Sequence, residues 1–172
     1  ELVEKNNFDG IDIDYESLKT SQKEDFTQFI KELSKELHLR NKLLGVAVHS
    51  KTSEDNPLED NGSQAQDLRK IARYADQLYF MTYLEHGAFV EPGPIGSLNW
   101  MEQVIQYGLT LVPRQKAYLG IGLMGAGWSK ENGTFKATDS EMSFLDVLSV
   151  AQENNLTPIW DEDSKTPYLN YY

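Results

Sequence analysis

Three carboxylates stand two residues apart in the stretch Phe8-Asp9-Gly10-Ile11-Asp12-Ile13-Asp14-Tyr15-Glu16. Acidic residues alternate there with apolar or aromatic ones, which is the period of a β-strand. On a strand, Asp12, Asp14 and Glu16 share one face at spacings of roughly 7 Å, and Ile11, Ile13 and Tyr15 point into an apolar layer on the other. A row of acids held side by side resists full ionisation, a common way for proteins to keep a proton donor available. General acid catalysis, a solvated strand face and a cation site all fit this spacing. An EF-hand loop does not, because the glycine that should follow the third acidic position is missing.

The elements that would position this row alternate along the chain. Leu2 and Val3 read as the end of a helix before the acidic strand. Ser21-Gln22-Lys23-Glu24 has the capping-box pattern and should open a helix reaching about Leu39, with Phe26, Phe29, Ile30, Leu33 and Leu37 on its buried face. His38 lies near the C-terminus of that helix, where a cation suits the dipole, and takes no catalytic role. Leu43 to Val48 is a continuous apolar run, as in a parallel strand covered on both faces. Ser50 to Gln64 reads as a long loop, in which Asp55, Glu59 and Asp60 could meet a cation but are better explained as solvated. A short helix follows over Asp67–Ala75, and Gln77 to Tyr83 forms the next strand. Gly87, Pro92, Gly93, Pro94 and Gly96 break the loop from Leu84 to Leu98. Asn99 to Leu111 is helical, Ala117 to Leu123 a strand, and Ser140 to Asn155 an amphipathic helix. Thr157–Asp161 and Tyr168–Tyr172 read as two paired short strands. This β/α alternation demands a parallel sheet, and in a barrel the loops after the strands gather at one face, where active sites form.

With 172 residues and 40% hydrophobic content, the chain can bury a core. No run approaches the ~18 apolar residues of a membrane span. A net charge of −11, from 27 acidic and 16 basic residues, disfavours nucleic acid and anionic membranes as partners. It is compatible with a neutral sugar polymer. The absence of cysteine excludes a disulfide framework and leaves the compartment open.

Asp9-Gly10-Ile11-Asp12-Ile13-Asp14-Tyr15-Glu16 resembles the D-G-x-D-x-D-x-E signature of glycoside hydrolase family 18, the chitinase-like TIM barrels. Met81-Thr82-Tyr83 is similar to that family's M-x-Y-D element on strand six. Residues 91–97, Lys116 to Trp128 and the segment from Trp160-Asp161-Glu162 to Pro167-Tyr168 resemble its bacterial branch associated with cell walls and spores. The resemblance implies an α/β fold, a (β/α)8 barrel present here as the segment from about strand 4 to before strand 8. A whole barrel needs about 250 residues. Residues 1–172 are therefore expected to form part of one catalytic domain, lacking roughly its first three βα units and its last strand.

The resemblance also implies a chemistry: hydrolysis of β-1,4 bonds beside N-acetylglucosamine, in chitin oligomers or peptidoglycan, by a substrate-assisted retaining route. Glu16 is then the proton donor, Asp14 holds the acetamido nitrogen, Asp12 shares a proton with Asp14, and Tyr83 supports the attacking acetamido oxygen. Met81, Glu85 and Trp128 are the candidate substrate-binding residues, Trp128 because it is expected just after a strand end. Trp100 and Trp160 are weaker stacking candidates. No metal and no organic cofactor is implied, and the partner is a polysaccharide containing N-acetylglucosamine, met outside the cell, in the cell wall or on the spore surface.

Two positions depart from the family pattern. Leu84 stands where an Asp usually follows the tyrosine, and Ser17 stands where many chitinases carry an aromatic residue. If the strand extends past Tyr83, alternation brings Glu85 to the tyrosine's side as a replacement carboxylate. The alternative reading is a chitinase-like lectin that binds such sugars without cleaving them. Members that lost activity replace the final Glu, which this chain keeps as Glu16. A barrel serving only as a cell-wall scaffold is a third reading.

Overall fold

The structure is a computed structural model that describes residues 1–54, 62–87 and 91–171. The loop acids Asp55, Glu59 and Asp60 lie outside the described residues. The chain divides into two units, Glu1–Met81 with Gln103–Gly120, and Thr82–Glu102 with Ile121–Tyr172. Among the described residues no helix is long and apolar enough to cross a membrane.

The first unit is built on four parallel strands, β1 (Gly10–Ile13), β2 (Leu43–His49), β3 (Gln77–Met81) and β4 (Ala117–Gly120), in the order β1-β2-β3-β4. Helix α1 (Leu2–Lys5) precedes β1, α2 (Lys23–His38) joins β1 to β2, and α3 (Leu68–Tyr74) joins β2 to β3. Helix α4 (Leu98–Gly108) precedes β4 and contributes residues to both units. The α/β alternation expected from sequence is therefore present as a parallel sheet with helical crossovers.

Register explains which residues form the core. Ile13 stands opposite Val46, Val46 opposite Leu78, and Leu78 opposite Ala117. Ile13, Val46 and Leu78 of that row, with Leu44, Val48 and Phe80, are buried, as are Phe26, Ile30 and Leu37 of α2 and Leu68 and Ile71 of α3. Each such side chain contributes about 1.5–3 kcal/mol on burial. The opposite face carries Asp12, Gly45, Ala47, Gln77, Tyr79 and Tyr118, paired as Asp12–Gly45, Gly45–Gln77, Ala47–Tyr79 and Tyr79–Tyr118. It is polar, aromatic and more open to solvent. The run Leu43–Val48 is thus covered fully on its helix side only: Leu43 is exposed, and small residues fill the other face.

The opening of α2 differs from expectation. Thr20–Gln22 forms a single 3-10 turn, the Gln22 side chain accepts from the Lys19 backbone N–H at 2.9 Å, and α2 begins at Lys23. The capping contact therefore joins Lys19 and Gln22, whose N–H donates to the Lys19 carbonyl at 2.8 Å, and not Ser21 and Glu24. His38, at the other end, has a structural partner. Its Nε2 lies 2.9 Å from Asp76 Oδ2, and the same carboxylate oxygen accepts from the Leu44 N–H at 2.8 Å.

Burial alone would raise the Asp76 carboxyl, but the bonds from His38 and Leu44 outweigh it and hold it below the ordinary value of 3.8. A depressed carboxyl stabilises the fold above its unfolded pKa, and that contribution disappears as pH falls through the folded value. Asp76→Ala should cost about 1–3 kcal/mol at pH 7. In urea titrations the gap between parent and variant should narrow below pH 3.8; a gap that stays constant to pH 2 would show that Asp76 acts through packing alone.

The second unit contains two antiparallel hairpins and a helix, β5 (Met124–Glu131) with β6 (Thr134–Ser143), α5 (Phe144–Glu153), and β7 (Ile159–Asp161) with β8 (Thr166–Tyr168). The first hairpin corrects the sequence reading, which ran a helix from Ser140 and saw no strand at 134–143. Asn132 and Gly133, both at positive φ (52° and 84°), turn the chain. Asn-Gly is the pair that favours a two-residue hairpin turn. The strand ends where Ser143 caps α5: its hydroxyl accepts from the Asp146 N–H, and the Asp146 carboxylate accepts from the Ser143 N–H at 2.9 Å. The second hairpin is present as expected, but only its first strand lies within the expected range; the second is Thr166–Tyr168 and not Tyr168–Tyr172, because the turn after Asp161 is tight enough to pair Asp161 with Thr166.

Candidate active site

Asp12 occupies room that a glycine provides. A Cβ on Gly45, its partner on β2, would lie 1.8 Å from Asp12 Oδ1 and 2.8 Å from Tyr79 Cε2. The carboxylate therefore rests on bare backbone at Gly45, beside the Tyr79 ring. The Tyr79 hydroxyl donates to Gln77 Oε1, and Gln77 Nε2 donates to the Tyr118 hydroxyl at 3.3 Å. The two tyrosine rings lie 5.3 Å apart and tilted by 41°. Burial, then the charge of Asp12, then Tyr118 push the Tyr79 phenol above its ordinary value.

Beyond Ile13 the row of carboxylates departs from the expected strand. β1 ends at Ile13, where its pairing with β2 ends, so Asp14 and Glu16 lie on an extension outside the ladder. The strict two-residue alternation of Asp12, Asp14 and Glu16 is consequently not a property of one strand face. All three side chains are exposed. Tyr15, expected in the apolar layer, is half exposed and instead stacks on α2, with its ring centroid 5.7 Å from Phe29 at 3° and 6.2 Å from Phe26. Aromatic attraction to α2 takes the place of ladder hydrogen bonds in holding this segment.

The Glu16 backbone has a second support. Its carbonyl oxygen lies 2.9 Å from Nε2 of His49, the last residue of β2. The His49 N–H donates to Gln66 Oε1 at 2.7 Å, and Lys51 Nζ donates to the Gln66 carbonyl at 2.9 Å. Gln66 and Lys51 are both buried, and burial pushes the Lys51 ammonium below its ordinary value. Met81 ends β3 opposite His49, half-buried, and its carbonyl accepts from the Ser50 hydroxyl at 2.6 Å.

The remaining candidates belong to the second unit. Tyr83 is half-buried, and a Cβ on Gly122 would lie 2.7 Å from the tyrosine's own Cβ. Leu84 has φ 62°, the left-handed region that an L side chain enters at a cost of about 1–2 kcal/mol. β3 stops at Met81, so strand alternation does not extend to Glu85. Both Glu85 carboxylate oxygens are engaged instead with Ser97, accepting from its N–H at 2.6 Å and from its hydroxyl at 3.1 Å. Ser97 in turn accepts from the Trp100 N–H at 3.3 Å, in the first turn of α4. Trp128 lies inside β5, opposite Ala137, and not after a strand end. Trp160 is exposed on β7. Among the described residues no three His, Asp or Glu side chains are grouped to hold a metal ion.

The first unit thus carries Asp12, Asp14, Glu16 and Met81, and the second carries Tyr83, Glu85 and Trp128. Sequence reasoning missed His49, Gln66, Gly45 and Tyr79. A signal for His49 was available, since it is the first polar residue after an apolar parallel strand, the end at which such folds place chemistry. Gln66 left none, because only tertiary contact shows a buried amide in a polar loop.

The family model described as glycosyl hydrolases family 18 matches residues 1–172. An uncharacterized glycosylase of Bacillus subtilis, YvbX, is 28% identical over 170 residues, covering 99% of this chain and 48% of that protein. The cortical fragment-lytic enzyme of the same organism is 25% identical over 174 residues, covering 99% of this chain and 40% of the relative. The chain therefore spans about half the length, or less, of these two relatives. Among solved structures, a chitinase from Chromobacterium violaceum superposes with a TM-score of 0.85 and 26% identity, over 99% of this chain and 51% of that one. From the acidic segment on β1 to the closing hairpin, this chain belongs to glycosyl hydrolase family 18.

Proposed function

We propose that the full-length protein is a glycosidase that cleaves β-1,4 bonds next to N-acetylglucosamine with retention of configuration, and that residues 1–172 are part of a (β/α)8 barrel. The observation that carries this reading is the acidic segment at the C-terminal end of β1, with Asp12 seated over Gly45 and Glu16 exposed beyond the last ladder pair. Parallel β/α folds gather their chemistry at that end of the sheet.

In this reading Glu16 donates its proton to the glycosidic oxygen as the C1–O bond breaks, and the substrate's acetamido oxygen attacks C1 to close an oxazolinium ring. Asp14 accepts a hydrogen bond from the acetamido N–H, and the Tyr83 hydroxyl donates to the acetamido oxygen. Glu16, now a carboxylate, takes a proton from water as the water oxygen attacks C1 and reopens the ring. Two inversions at C1 give net retention, with no protein nucleophile. Asp12, beside the Tyr79 phenol, backs Asp14 from inside the sheet face.

The sugar polymer is chitin-like or peptidoglycan. Similarity to the cortical fragment-lytic enzyme supports peptidoglycan, and similarity to a chitinase supports N-acetylglucosamine oligomers. The protein would act outside the cell, in the wall or on the spore.

The test is proton NMR of the first product formed by the full-length protein from an N-acetylglucosamine tetramer and from de-N-acetylated tetramer. Cleavage of the acetylated oligomer alone, with the β-anomer appearing first, is expected. Equal cleavage of the de-N-acetylated oligomer, or an initial α-anomer, would overturn the substrate-assisted route. Tight binding without cleavage of either chitin or peptidoglycan would favour the lectin.

A further inference from the structure

Glu16 lies outside the strand ladder, so the direction of its carboxyl depends on what holds its peptide. Ladder pairing ends at Ile13 with Val46. From there to Glu16 the described supports are the Tyr15 ring on α2 and a single hydrogen bond to the Glu16 carbonyl. The carbonyl has no proton to give, so His49 Nε2–H is the donor, and this bond selects the tautomer protonated at Nε2. Gly62, at φ 80°, lies alongside this hydrogen bond: a Cβ there would lie 2.0 Å from the carbonyl oxygen and 2.4 Å from His49 Nε2. His49 is itself fixed from behind. Its N–H is bonded to Gln66, whose Nε2 donates to the Ala47 carbonyl at 3.2 Å and whose carbonyl takes a bond from buried Lys51.

We infer that His49, with the space left by Gly62, is the positioning residue for the proton donor: it clamps the Glu16 peptide and so sets where the Glu16 carboxyl points. The inference rests on the reading of Glu16 as general acid. Its physical basis is leverage. A peptide released from this bond can rotate, and the carboxyl lies three bonds beyond the Cα that the rotation moves. Misplacing a catalytic group by 1 Å costs on the order of 10²-fold in rate. Substrate contacts made elsewhere are untouched, so the loss belongs in kcat and not in KM.

Three variants of the full-length protein test this on a chromogenic N-acetylglucosamine dimer. His49→Leu removes the donor. His49→Gln restores one, because the Gln amide nitrogen is as many bonds from Cα as the histidine Nε2. Gly62→Ala keeps the histidine in the sequence but drives a methyl against both ends of its bond, the Glu16 carbonyl and His49 Nε2, at a φ that itself strains an alanine. His49→Leu and Gly62→Ala should each lower kcat by about ten- to a hundredfold with KM within about twofold, and His49→Gln should recover most of the loss. Unchanged kcat in His49→Leu, or a His49→Gln no better than His49→Leu, would overturn the clamp. So would a loss confined to KM, or one that follows the fall in melting temperature across the three variants. If His49→Leu does not fold, Gly62→Ala decides by the same kcat criterion. Glu16→Gln run beside them separates the two claims: its inactivity together with a fully active His49→Leu rejects the clamp alone, whereas an active Glu16→Gln rejects both.

Discussion

Glu16→Gln in the full-length protein should lower turnover of an N-acetylglucosamine oligomer by about 10²–10⁴-fold, the usual contribution of general acid catalysis, and leave sugar binding nearly unchanged. The amide has the shape of the carboxyl and keeps a hydrogen-bonding end, but it cannot give up a proton to the leaving oxygen. Glu16 is exposed, and its backbone supports, Tyr15 on α2 and His49 on its own carbonyl, do not involve the side chain. The substitution should therefore leave the melting temperature within about a degree, since surface changes away from such features are usually within 0.5 kcal/mol. Calorimetric titration with the oligomer, run beside steady-state kinetics, separates the two effects. Turnover at the parent rate would end the assignment of Glu16 as acid; lost binding with lost turnover would make it a sugar contact instead.

Phe80→Ala should be the most damaging single change to the fold, at about 3–5 kcal/mol. The side chain is 1% exposed on the helix-facing side of β3. A Cβ on Gly108, at the end of α4, would lie 2.6 Å from its ring, so helix and ring are in contact only because that position is glycine. Removing the ring opens a cavity between two backbones that a rigid parallel sheet cannot close. Against a typical stability of 5–15 kcal/mol, this is a large share. A change of 1 kcal/mol moves the melting temperature by roughly 2–4 °C in domains of 150–250 residues, so a fall of roughly 6–20 °C is expected by calorimetry. A shift below about 3 °C would mean that α4 collapses into the space. The neighbours Tyr79 and Met81 point to the opposite face. Phe80→Leu should accordingly restore much of the stability without touching the residues near Asp12.

What the sequence by itself determined was whatever depends on period and local chemistry. The alternation of apolar runs with amphipathic stretches places all four parallel strands and all three crossover helices of the first unit, because a strand buried against helices must be apolar where it meets them. The eight residues from Asp9 to Glu16 identify the family, since four acids in that pattern have few other uses. The Asn132-Gly133 turn was also legible and its hairpin was overlooked, the amphipathic signal of α5 having been extended backwards over β6. Ser143, paired with Asp146, marks the true start of that helix.

Tertiary structure alone decided where the strands stop and what supports their ends. β3 stops at Met81, where both of its ladder partners end, at His49 and Gly120, whereas β1 leaves the ladder at Ile13 although β2 runs on to His49, and no local residue signals either. Strand alternation therefore misassigned Tyr15 to the core and could not say where Glu85 would turn. Tyr15 goes to Phe26 and Phe29 on α2, and Glu85 goes to Ser97 at the start of α4. Gly45 beneath Asp12 and His49 against the Glu16 carbonyl are contacts of β2 with β1 and its extension, more than 30 residues apart in sequence. Contacts of that kind are set by sheet register, which a single chain read residue by residue does not contain.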